Sequence, residues 1–171
     1  VDRDLWEKIV ALGWTGVRIP DQFDGLGLGH LELCVIAEEL GRFLAPVPFS
    51  SSVYLFTETI IKYGSEELKK DILPKLVSGE VIGTLAVTED FLAPTSSNIT
   101  TEVTNNKITG KKIAVPDAGI ATHSIIVCKS SNGIDLRLID LSDKSLSISS
   151  QNTVDDSRGH FCIELDNTPS I

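Results

Sequence analysis

Apolar residues along this chain recur first with the period of a helix and later with the period of a strand, and the change falls near Gly83. Between Asp2 and Gly13 the residues Leu5, Trp6, Ile9, Val10 and Leu12 make an i, i+3/i+4 stripe, and Gly13 stops it. Trp14 to Gly29 reads as a flexible turn between helices. From His30 to Ala45 the pattern is helical again, with Leu31, Val35, Leu40, Phe43 and Leu44 apolar and Glu38, Glu39 and Arg42 on a wet face, until Pro46 and Pro48 end it. Ser50, Ser51 and Ser52 offer an N-cap for a third helix carrying Val53, Leu55, Phe56, Ile60 and Ile61, closed at Gly64. Ser65 caps a fourth, with Glu66 and Glu67 in the first turn where the helix dipole favours negative charge. Pro74 is expected to interrupt that helix, leaving Lys75 to Gly79 as a final turn or two.

After Gly83 the pattern is that of short strands. Val103 to Gly110 reads as a strand, a two-residue Asn105-Asn106 turn and a return strand. Ser124 to Cys128, Ile134 to Leu141, Ser145 to Ile148 and Phe161 to Leu165 add further strands, with Ser130 to Gly133 and Asn152 to Gly159 as loops. The fold class read from the pattern is α+β: an all-α N-terminal domain over residues 1–82, then a small antiparallel β-barrel or sandwich over residues 83–171.

Composition narrows the function. With 171 residues, 42% hydrophobic and 23% charged, the chain can bury a core. The net charge of -9 is spread evenly, with 13 acidic against 8 basic residues through position 82 and 11 against 7 after it, so neither half suits a phosphate backbone and no nucleic-acid partner is expected. No apolar run approaches the roughly 18 residues of a spanning helix, and no signal peptide opens the chain, so the reading is a cytoplasmic protein without a membrane span. Cys34, Cys128 and Cys162 are odd in number and widely spaced, which speaks against disulfides or a zinc site and for small buried apolar residues. His30, His123 and His160 are equally scattered, so no metal site is expected. Gly25, Gly27 and Gly29 mimic part of a dinucleotide fingerprint, but the third glycine comes after two residues rather than three and no strand precedes the set.

Several blocks, in order, resemble the acyl-CoA dehydrogenase family. They are Gly13-Trp14 with Val17 to Gly27; Glu38 to Pro46; Tyr63 to Glu80, which includes Leu73-Pro74-Lys75-Leu76 and Gly79-Glu80; Ala86-Val87-Thr88-Glu89; and Thr109 to Ala121. Each block alone is weak, but the ordered set is specific and covers nearly the whole chain. The resemblance implies an N-terminal helical domain and a middle β domain, with part of the first domain and a C-terminal helical bundle expected beyond the ends of this chain.

It also implies chemistry: FAD as cofactor, an acyl-CoA thioester as substrate, and α,β-dehydrogenation to a trans-2-enoyl-CoA. An electron-transferring flavoprotein would be the electron acceptor and the protein a homo- or hetero-oligomer. Leu85, Val87 and Thr88 align with positions that approach the flavin through backbone groups and a hydroxyl, and Val115 and Pro116 with the segment that follows the family's flavin-stacking aromatic. No catalytic residue is assigned, because the family's base is a carboxylate of the C-terminal bundle. Glu89 is the tempting substitute, yet in the motif it is a structural neighbour of the flavin loop.

The chain departs from the family in two places. Where relatives continue Thr-Glu-Pro-x-x-Gly-Ser-Asp, this chain has Thr88-Glu-Asp-Phe-Leu-Ala-Pro-Thr95, and the stacking aromatic is replaced by Ala114. Two readings therefore stand: part of a catalytic acyl-CoA dehydrogenase, inactive as these residues alone, or part of a non-catalytic structural subunit of a heteromeric one.

Overall fold

The first helix, α1 (Arg3–Ala11), begins at Asp2, whose carboxylate accepts from the Leu5 amide, and ends where Gly13 turns left-handed at φ 74°. It opens the first of two units, Val1–Gly83; the second is Thr84–Ile171. The computed structural model describes residues 1–155 and 157–171; Asp156, within the loop read from Asn152 to Gly159, lies outside the described residues. Helices fill the first unit and strands the second, as the change of period requires.

In the first unit α1 is followed by α2 (His30–Arg42), a π-helical stretch Ser50–Thr57 that runs into α3 (Glu58–Tyr63), and α4 (Glu66–Val77). Trp6, Ile9, Val17, Leu33, Phe49 and Val53 form one buried cluster, with Ile36 and Leu40 packed against it. The expected apolar stripe of α2 is corrected here. Leu31, Val35, Phe43 and Leu44 are exposed, whereas Leu33, Ile36 and Leu40 turn inward. The helix carries apolar residues on two faces at helical spacing, and packing selects the other one. Cys34 is likewise exposed, unlike Cys128 and Cys162, which are buried as read.

Three further expectations change. Pro74 does not interrupt α4: the helix runs through it to Val77. An interior proline costs about 3 kcal/mol, but Ile72, Leu73 and Leu76 around it are all buried, at about 1.5–3 kcal/mol each, so packing outweighs the lost hydrogen bond. Ser50 to Ser52 do not cap a helix but lie inside the π-helical stretch, where Ser51 Oγ donates to the Pro48 carbonyl. The Trp14 to Gly29 segment is tightly hydrogen-bonded rather than a loose turn: the amides of Leu26, Gly27 and Leu28 donate to Gly16, Ile19 and Val17, and Gly25 lies against the Ile19 carbonyl with no room for a Cβ.

The second unit is one seven-stranded sheet. Its strands are β1 (Gly83–Ala86), β2 (Glu102–Thr104), β3 (Lys107–Pro116), β4 (His123–Ser130), β5 (Gly133–Asp140), β6 (Leu146–Gln151) and β7 (His160–Pro169), ordered β1-β4-β2-β3-β7-β6 with β5 on β4. Asn105 and Asn106, at φ 50° and 58°, make the tight β2–β3 turn that the sequence predicts. β2–β3, β3–β7, β4–β5 and β6–β7 pair antiparallel, and β2 and β4 meet in parallel at Glu102 and Lys129. The sheet buries Ile108, Val115, Ile126, Cys128, Ile139, Ile163 and Leu165 in one core. Among the described residues no helix is long and apolar enough to cross a membrane.

Candidate functional site

The geometry of the site starts from a bulge in β3. Lys112 pairs with Ile163 and Val115 with Phe161, so Ile113 and Ala114 together oppose the single residue Cys162. Ala114 takes the left-handed conformation, φ 52°, and its amide donates to Gln151 Oε1 at 2.7 Å. The Ile113 amide, released from the β7 ladder, donates to the Thr88 carbonyl at 2.8 Å. Further along, Thr84 Oγ1 donates to the Pro116 carbonyl at 2.6 Å. These two bonds lay the segment 84–88 alongside 113–116. Bulges of this kind re-aim strands next to binding sites.

Beneath the bulge is a buried charge. The inward alternation of β3 passes through Ile108 and then Lys112, whose side chain is 0% exposed. Its Nζ donates to Glu89 Oε1 at 2.7 Å and to the Val87 carbonyl at 3.0 Å. Glu89 is engaged on every side: Oε1 also accepts from the Thr101 amide at 3.0 Å, and Oε2 accepts from the amide and hydroxyl of Thr100, each at 2.6 Å. Burial alone would raise the Glu89 carboxyl; the hydrogen bonds from Lys112, Thr100 and Thr101 outweigh it and hold it at about 2. Burial lowers the Lys112 ammonium against the pull of Glu89. A charge with this many donors keeps the pair ionised, since either member alone would be buried without compensation.

The segment pairing brings the residues singled out in the sequence together. Leu85, Val87 and Thr88 are half-buried on one segment, and Pro116 is half-buried on the other. Among the described residues the Thr88 hydroxyl has no hydrogen-bond partner, so it is available to a ligand, whereas the Thr88 carbonyl is committed to Ile113. Val115 is different: its side chain is 1% exposed and belongs to the sheet core, which leaves only its backbone to face a ligand. Ala114 is exposed.

Sequence reasoning missed two parts of this arrangement. One is Lys112, although a lysine in phase with Ile108 on the inward face of a strand was a visible signal. The other is the turn after β3, where Arg158 donates from Nε and Nη2 to Asp117 Oδ2 at 3.2 and 2.7 Å and the Asp117 amide donates to the Gly159 carbonyl. Asp117 is buried and left-handed at φ 56°, so this ion pair fixes the end of β3 that carries Pro116. No group of three or more His, Cys, Asp or Glu among the described residues is placed to hold a metal ion.

Comparison with known proteins agrees with this fold. Residues 1–80 match the acyl-CoA dehydrogenase, N-terminal domain, family. Over 89 residues, 51% of this chain and 21% of the relative, the chain is 38% identical to mitochondrial isovaleryl-CoA dehydrogenase from Pongo abelii. It is similar over 99% of its length to 46% of a chain in the ChsE4-ChsE5 complex from Mycobacterium tuberculosis, with TM-score 0.86 and 25% identity. An acyl-CoA dehydrogenase complexed with FAD from Bacillus anthracis shares the fold at TM-score 0.88 and 20% identity, over 98% of this chain and 30% of that one. Together these matches support a member of the acyl-CoA dehydrogenase family, with the family model itself matching residues 1–80. It spans less than half the length of these relatives.

Proposed function

We propose that this chain supplies the helical part, residues 1–82, and the β part, residues 83–171, of an FAD-dependent dehydrogenase that converts an acyl-CoA thioester to a trans-2-enoyl-CoA. The observation that carries the reading is the pairing of 84–88 with 113–116 at the β3 bulge, which leaves the Thr88 hydroxyl unpartnered beside half-buried Leu85, Val87 and Pro116. That set fits the polar edge and apolar flank of a flavin ring. FAD, when bound, supplies the acceptor for the β-hydride. The chain's own residues would hold and orient it: Thr88 through its free hydroxyl, Leu85 and Val87 through their apolar side chains, Val115 through its backbone and Pro116 through its ring.

Glu89 is not the base that takes the α-proton. Its two oxygens are filled by four donors and its pKa is held at about 2, so it is both sterically committed and too weakly basic. No other residue of this chain takes that role in the proposal, and residues 1–171 alone are expected not to turn over acyl-CoA. In the same reading electrons pass to an electron-transferring flavoprotein, and the protein acts as an oligomer in the cytoplasm.

One observation favours a second reading. Ala114 presents only a methyl group at the position where the family resemblance implies a stacking aromatic, which suits a non-catalytic subunit of a heteromeric dehydrogenase, and one similar structure is the ChsE4-ChsE5 complex. The test is enoyl-CoA formation by the intact protein, loaded with FAD and given acyl-CoA and an electron acceptor. Product with the protein alone supports catalysis; product only after a second subunit is added supports the structural role.

A further inference from the structure

Outside the residues assigned to the flavin, the chain carries a buried polar group whose contacts are distributed in an informative way. Lys112 Nζ reaches the Val87 carbonyl, on the segment that borders the candidate site, and Glu89, at the end of that segment. Glu89 in turn accepts from Thr100 and Thr101, on the far side of the loop spanning 90–99. One carboxylate therefore holds both ends of a ten-residue loop, and one ammonium holds that carboxylate to β3. The loop itself is exposed for most of its length: Phe91 and Leu92 face solvent, and its internal bonds are local, between Asp90 and Leu92 and among Ala93, Thr95, Ser97 and Asn98. Such a loop has little packing of its own to set its shape, so its anchorage decides where its ends lie.

We propose that Lys112 and Glu89 are positioning residues: their buried ion pair closes the loop 90–99 at its base and holds the 87–88 backbone against the β3 bulge, and so sets the geometry of the site. The proposal rests on the flavin reading for its functional meaning, but the clamp is defined by protein contacts alone. A hydrophobic pair of similar volume would fill the same space; what it could not do is accept two amides and a hydroxyl from Thr100 and Thr101 while binding the Val87 carbonyl. Specific geometry, rather than bulk stability, is what the charges provide.

The test compares Lys112→Met and Glu89→Gln in the intact protein with Leu138→Val or Leu138→Ala, chosen in β5 to match their loss of global stability. The first readout is amide hydrogen exchange. In the clamp variants, exchange at Ile113, Thr100 and Thr101 is expected to rise about tenfold or more beyond any rise at Ile125 and Ile139, while the Leu138 control raises all of them together. The second is the FAD dissociation constant, expected to rise about tenfold or more in the clamp variants and to stay within about twofold in the control. Glu89→Gln keeps the side-chain shape and serves if Lys112→Met does not fold. Exchange that rises uniformly, or FAD affinity that falls equally in clamp and control variants, overturns the proposal. A wild-type protein that takes up no FAD removes the flavin reading, and the exchange comparison still decides the clamp.

Discussion

The amide of Ile113 donates to the carbonyl of Thr88 at 2.8 Å, in the middle of a strand that is paired with β7 on either side of it. That bond exists because the bulge at Ile113 and Ala114 frees one amide from the ladder. It joins the Val87-Thr88 segment to β3 while leaving the Thr88 hydroxyl unused. Replacing Thr88 by Val removes the hydroxyl and keeps the shape. Stability is expected to change by less than about 0.5 kcal/mol, whereas FAD affinity should fall about tenfold, the worth of one net hydrogen bond. Equal FAD titration curves for Thr88→Val and wild type would remove Thr88 from the site.

The Glu89 carboxyl sits at about 2 in the folded protein, against an ordinary value of 4.5. A depressed carboxylate stabilises the fold fully above its unfolded pKa and loses that contribution as pH falls through the folded one. Denaturant midpoints of the wild type should therefore drop between pH 4.5 and about 2 more steeply than those of Glu89→Gln, which has no proton to take up there. Parallel curves for the two proteins across that window would contradict the account.

Gly83 lies against the ring of Phe56, where a Cβ would overlap the ring atoms, and Phe56 is wholly buried. The Gly83 amide also donates to Ser52 Oγ at 3.2 Å. Gly83→Ala is expected to destabilise the helical unit by about 1–3 kcal/mol through overpacking, read as a lowered urea midpoint with an unchanged slope. An unchanged midpoint would show that the ring can move aside.

Ser65 Oγ accepts from the Leu68 amide at 3.2 Å and caps α4. Ser65→Ala should cost about 1 kcal/mol and Ser65→Asp should restore most of it, because an acidic cap also complements the helix dipole. Thermal unfolding of the two variants beside the wild type checks both signs.

What the sequence revealed and what it hid follow from range. Local signals were legible: the Gly13 stop, the Ser65 cap and the Asn105-Asn106 hairpin each depend on a few neighbouring residues with a known backbone preference. The helix-to-strand change at Gly83 was legible for the same reason. Where two local answers competed, tertiary packing decided. The α2 sequence supports two apolar faces and only Leu33, Ile36 and Leu40 are used, and Pro74 stays helical because its buried neighbours outweigh it. Of the site, Leu85, Val87, Thr88, Val115 and Pro116 were named from the family resemblance alone. The bulge that sets them side by side was hidden, since it turns on a left-handed Ala114 rather than the glycine that would advertise such a conformation. The Glu89–Lys112 pair spans 23 positions, and periodicity does not report contacts of that separation.

The central claim is that this fold holds a flavin at the Thr88 segment. It is tested most directly by saturating the purified intact protein with FAD, removing free flavin, and recording the visible spectrum with and without acyl-CoA. The account predicts a retained flavin spectrum that bleaches on adding acyl-CoA in the wild type, with less flavin retained by Thr88→Val and Lys112→Met. A protein that emerges colourless, or one whose flavin is retained equally by all three, would contradict it.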